Sequence, residues 1–111
     1  MESKRQHKIS KLIQKDVGDI LQKKQNLFPG NTLITLTKVN ITKDLSLARI
    51  FVSIFGTKDK KETLEIINSS KGEIRYELGQ RIRNQLRKVP DLQFYEDDSL
   101  DYIERIENLL E

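Results

Sequence analysis

The stretch that decides the fold is Asp59-Lys-Lys-Glu62-Thr-Leu64-Glu-Ile66-Ile67-Asn-Ser69-Ser70-Lys71-Gly72-Glu-Ile74-Arg75-Tyr-Glu-Leu78. Asp59 and Glu62 form a capping-box variant that opens a helix. Leu64, Ile66 and Ile67 supply its short apolar face. Ser69-Ser70-Lys71-Gly72 then interrupts the pattern. A new apolar stripe, Ile74, Leu78, Ile82 and Leu86, recurs every four residues. That spacing predicts a second, long helix whose far limit is Pro90. The chain therefore contains two helices joined by a tight break.

Upstream, Thr32–Ile41 and Ser46–Phe55 are rich in β-branched residues and read as strands. Ile34 and Leu36 share one parity while Val39 and Ile41 have the other, which calls for a bulge near Lys38. The short connection over 40–46 makes the pair an antiparallel hairpin. Both parities of the second strand are largely apolar, so both faces are expected to be partly covered. Before the strands, Ile9, Leu12, Ile13, Val17, Ile20 and Leu21 recur at helical spacing behind Ser3 as N-cap. Pro29-Gly30 ends that segment with a turn. Downstream, Leu92 and Phe94 alternate as a short third strand. Ile103, Ile106, Leu109 and Leu110 then predict a last amphipathic helix. The order α-β-β-α-α-β-α is an α+β architecture: a three-stranded sheet with helices on one face.

Of the 111 residues, 1–88 carry 19 Lys/Arg against 9 Asp/Glu, a formal +10, and 89–111 carry 1 against 8, a formal −7. A basic body with an acidic end points to a polyanionic partner. Cysteine is absent, which removes disulfides and thiolate chemistry. No apolar run has membrane-spanning length. The single histidine, His7, falls in an N-terminus expected to be frayed and solvent-exposed. No nucleophile–base pair, Gly-rich phosphate loop or cofactor motif is present, so no catalytic residues and no cofactor are expected. Asp97, Asp98, Asp101 and Glu104 cluster, but their spacing lacks the glycine of a calcium loop, and no metal site is assigned.

The break at Ser70 exposes backbone amides at the start of the second helix, and these with the helix dipole suit a phosphate. Lys71 and Arg75 stand beside them, and Arg81, Arg83, Arg87 and Lys88 are expected to continue along the same helix. Tyr76 reads as packing or surface, with base stacking as the alternative.

These segments resemble the ribosome-binding factor A family, whose fold is that of the type II KH domain, α-β-β-α-kink-α-β. Ser70-Lys71-Gly72 is similar to that family's Ala-x-Gly helix kink, with Ser70 departing from the usual alanine. The hairpin over 39–53 is similar in its Asp44-Leu45 turn and Ala48. Arg87-x-x-Pro90-x-Leu92-x-Phe94-x-x-Asp97-x-Ser99 resembles the family's signature. The Gly-x-x-Gly clamp of ordinary KH domains is missing. The resemblance implies a KH-like RNA- and ribosome-binding domain over residues 1–98, followed by an acidic amphipathic helix over 99–111. It implies a cytoplasmic, monomeric assembly factor without enzymatic activity. Such a factor binds the free small (30S) subunit and 16S rRNA, assists late maturation and 5′-end processing, and works beside other assembly factors including GTPases. On this reading Lys71, Arg75, Arg81, Arg83, Arg87 and Lys88 carry RNA binding. Lys4, Arg5, Lys8, Lys11 and Lys15 on the first helix support them, and Gly72 permits close backbone approach at the kink. The acidic end is expected to shield the basic face. A generic single-stranded RNA-binding KH module and a protein adaptor docking through Phe51, Phe55 or the terminal helix stay open as alternatives.

Overall fold

A computed structural model describes residues 3–28 and 32–97. The Pro29-Gly30 turn, the helix expected over 99–111 and its shielding role, and the carboxylates Asp98, Asp101 and Glu104 lie outside the described residues.

Helix α1 spans Lys4–Lys23. It starts there because Ser3 and Gln6 form a reciprocal box. The Gln6 amide donates to Ser3 Oγ at 3.1 Å, and the Ser3 amide donates to Gln6 Oε1 at 2.9 Å. Gln6 Nε2 also donates to the Ile41 carbonyl at 3.0 Å, tying the helix start to the sheet. The N-terminus from Ser3 onward is therefore capped rather than frayed, and His7 sits exposed inside the helix. A single 3₁₀ turn, Gln25–Leu27, follows.

Strands β1 (Leu33–Ile41) and β2 (Leu47–Phe55) form the expected antiparallel hairpin. Leu36 faces Val52 and Lys38 faces Phe51, so Thr37 is the extra residue of a bulge. The parity conflict in β1 is resolved by that insertion. At the turn, Asp44 accepts from Ser46 Oγ (2.7 Å), Thr42 Oγ1 (2.8 Å) and the Ser46 amide (3.1 Å). The Ser46 hydroxyl, then the Thr42 hydroxyl and the Ser46 amide, hold the carboxyl at about 2, below its ordinary value of 3.8. Leu45 takes a left-handed φ of 61°, which costs about 1–2 kcal/mol in a residue with a side chain. Packing of that side chain against the core offsets the cost.

Helices α2 (Lys60–Ser69) and α3 (Lys71–Ile82) follow, then β3 (Asp91–Glu96), which pairs parallel with β2. The strand order is β1-β2-β3. A parallel neighbour requires a crossover, and α2 and α3 provide it. The core lies between this sheet and the helices. Ile13, Val17, Ile20, Ile50, Val52, Ile67, Ile74, Leu78 and Ile82 are all fully buried. Each such side chain is worth about 1.5–3 kcal/mol of burial. The opposite face of the sheet is only half covered: Leu47, Phe51 and Phe55 are intermediate and Arg49 is exposed.

The second helix of the pair is shorter than its stripe predicts. α3 stops at Ile82, and the amides of Gln85 (2.8 Å) and Leu86 (3.0 Å) both turn back onto the Ile82 carbonyl. Leu86 is buried from this turn. Arg87 and Lys88 therefore leave the helix and lie on the connector to β3. The reversal is what brings Asp91 alongside Leu47.

Candidate nucleic-acid interface

The helix pair breaks at one residue. Ser70, at φ −96° and ψ 2°, closes α2 with its amide on the Ile66 and Ile67 carbonyls. It gives α3 no side-chain cap. The hydroxyl that bonds back to the chain is that of Ser69, on Ile66 O at 2.8 Å. The first α3 amide with a helical partner is that of Ile74, on Ser70 O at 3.0 Å. The start of α3 borders a cleft lined by Ser46, Leu47, Lys71, Gly72, Arg75, Asp91, Leu92 and Gln93. Gly72 has open space where a Cβ would stand, so the fold's own packing does not require glycine there. Gly79 is the tighter position: a Cβ there would meet Val89 Cγ2 at 3.0 Å, so Val89 would have to give way. In sequence the two glycines look alike.

The predicted cations separate into two kinds. Arg75 spans the chain reversal: Nη2 donates to the Val89 carbonyl (2.8 Å), Nε to that of Pro90 (3.1 Å), and Asp91 lies at 3.4 Å. Arg81 joins α3 to α1 through Asp16 and Asp19, both at 3.4 Å. Both guanidiniums fasten the fold together. Lys71, Arg83, Arg87 and Lys88 are exposed and make no ion pair among the described residues, as do Lys4, Arg5, Lys8, Lys11 and Lys15. Lys24, which the spacing did not single out, bridges Glu73 and Glu77, each at 3.4 Å. Its burial works to lower its pKa, and the two carboxylates outweigh that and raise it.

Two of the exposed cations, Arg5 and Lys8, reach the chain just beyond the C-terminal end of α3. Arg5 and Lys8 share a pocket of about 540 Å³ with Ile9, Leu12, Gln85 and Leu86. The first turns of α1 thus meet the connector at Gln85 and Leu86, whose neighbours along the chain are the cations Arg83, Arg87 and Lys88; this junction is the cationic seam. Tyr76, 69% exposed, shares a face of α3 with Gln80 at i and i+4. Lys11 lies elsewhere, lining a pocket beside β1 that Lys38 also borders. Lys38 escaped notice because a cation in a strand carries no helical spacing to flag it.

Comparison with known proteins follows the same lines. Residues 5–110 match the family model described as Ribosome-binding factor A. A Flavobacterium johnsoniae protein of that name is 50% identical, over 99% of this chain and 85% of its own length. The crystal structure of ribosome-binding factor A from Thermus thermophilus superposes with a TM-score of 0.69 at 19% identity, covering 82% of this chain and 94% of that one. A Thermus thermophilus ribosome binding factor A model fitted into the cryo-EM map of a 30S complex gives 0.61 at 18% identity, covering 88% and 97%.

Proposed function

This chain belongs to the ribosome-binding factor A family, and on that premise we propose that it binds the free small ribosomal subunit through 16S rRNA and assists its late maturation, including 5′-end processing. The proposed mode is binding without catalysis, by a cytoplasmic monomer acting beside other assembly factors, GTPases among them. The observation that carries the binding mode is the meeting of Arg5 and Lys8 with the Arg83–Lys88 connector. Those side chains are exposed, cationic and free of ion pairs among the described residues, which leaves them open to a phosphate backbone. Tyr76, exposed on α3, offers a ring to a base. Lys71 and the uncapped amides of α3 add a second anchor one helix length away, roughly 18 Å for 12 residues. Arg75 and Arg81 hold these two anchors in register. Support for the small subunit as partner comes from the relative fitted into the 30S complex.

Co-sedimentation with purified small and large subunits across a salt series tests the proposal. The chain is expected to pellet with small subunits only. With about five phosphate contacts, affinity should fall roughly 10²–10³-fold between 50 and 200 mM salt. Equal pelleting with both subunits, or indifference to salt, would count against it.

A further inference from the structure

The sheet face turned away from the helices is unpartnered among the described residues. Leu33 is 57% and Tyr95 39% exposed there, and Phe51 stacks on Tyr95 with centroids 5.4 Å apart. β3 stops opposite Val52, so the apolar surface at Phe55 and Leu33 has no third strand beside it. Its surroundings are cationic. Lys38 and Arg49 are exposed on the same face, and Lys60 Nζ lies 5.9 Å from the Phe55 ring centroid. An apolar surface with a basic rim suits an occupant that is apolar and acidic.

The chain supplies such an occupant. Residues 98–111 hold Leu100, Ile103, Ile106, Leu109 and Leu110 among five carboxylates and one arginine, a formal −4. The way out of β3 leads toward the open face. The Asp97 amide donates to Val52 O at 2.7 Å, and its carboxylate accepts from Thr37 Oγ1 at 2.6 Å. Thr37 belongs to β1, so this bond reaches across β2. By strand alternation it does so on the side of Tyr95, away from the helices. A segment tethered at that point meets the face at an effective concentration near the millimolar range.

We propose that residues 98–111 dock on the open face of the sheet, their apolar side chains over Phe51, Phe55 and Tyr95 and their carboxylates toward Lys38 and Arg49. The cationic seam on the helix side then stays uncovered by the acidic segment. The inference is independent of the ribosomal reading, since it concerns the free chain.

NMR of the full chain without RNA decides it. Methyl groups of Ile103, Ile106 and Leu109 are expected to show NOEs to the rings of Phe51, Phe55 and Tyr95. Ile106→Asp is expected to abolish those NOEs while the remaining spectrum keeps its dispersion. NOEs from the same methyls to Tyr76 or the Arg83–Lys88 connector would overturn the proposal. So would NOEs seen only between copies in a mixed-label sample, or none to any residue before Asp97.

Discussion

The two ends of α3 use positive charge in opposite ways. At the N-terminal end, Arg75 is consumed by the Val89 and Pro90 carbonyls and by Asp91. The Asp91 amide in turn donates to the Ser46 carbonyl at 2.9 Å, and Ser46 caps the hairpin turn through Asp44. Only Lys71 is left over. At the C-terminal end, Arg83, Arg87, Lys88, Arg5 and Lys8 have no acidic partners among the described residues. A guanidinium that satisfies carbonyls stabilises the fold, and one left in water is available to a polyanion. Charge counted along the chain cannot separate the two.

The largest expected effect sits at the C-terminal end. Reversing Arg83, Arg87 and Lys88 to Glu together should weaken co-sedimentation with small subunits by about 100-fold, roughly 2.7 kcal/mol. The urea midpoint should stay close to that of the parent chain, because no ion pair among the described residues is lost. Retained binding would remove the seam from the proposal.

The reverse pattern is expected at the other end. Arg75→Ala strips two charge-assisted hydrogen bonds from the chain reversal and should cost about 2 kcal/mol of stability in urea titration. Arg75→Lys should recover little of that, since an ammonium lacks the fork that reaches two carbonyls. A large loss of subunit binding with unchanged stability would mean Arg75 belongs with the ligand-facing cations. Lys71→Glu should give an intermediate result, about a fivefold loss of affinity, or roughly 1 kcal/mol. An effect equal to that of the connector variant would erase the difference between the ends.

Much of the fold was legible because its signals are local. The bulge at Thr37 followed from the parity change between Leu36 and Val39, and the start of α2 from Asp59, which accepts from the Glu62 amide at 2.9 Å. The end of α3 was not legible. Leu86 lies four residues beyond Ile82 and is buried like the rest of the stripe, so the sequence keeps its helical phase while the backbone has already turned. The candidate site divides in the same way. That Arg81 is cationic is a local fact, but Asp16 and Asp19, which bind it, stand 65 and 62 positions earlier. Nothing in the spacing near Arg81 announces them. The six-residue β3 carries only an alternation, so its choice of β2 as a parallel neighbour comes from the crossover geometry.

The smallest effect sharpens the account of the structural end, and its sign is fixed by Asp44. The folded chain holds this carboxyl at about 2, against 3.8 without its partners. The anion therefore stabilises the fold above about pH 4, and that contribution is lost as pH falls toward 2. Asp44→Asn removes the titrating charge. At pH 5 the parent chain should unfold at higher urea than the variant, and the gap should narrow steadily as pH falls to 2. Because Ser46 links this turn to Asp91 and so to Arg75, the same acid limb should also appear as weakening of the Asp91 amide's protection in hydrogen exchange. A gap that stayed constant from pH 5 to pH 2 would mean that the ionised form of Asp44 is not what braces this end of α3.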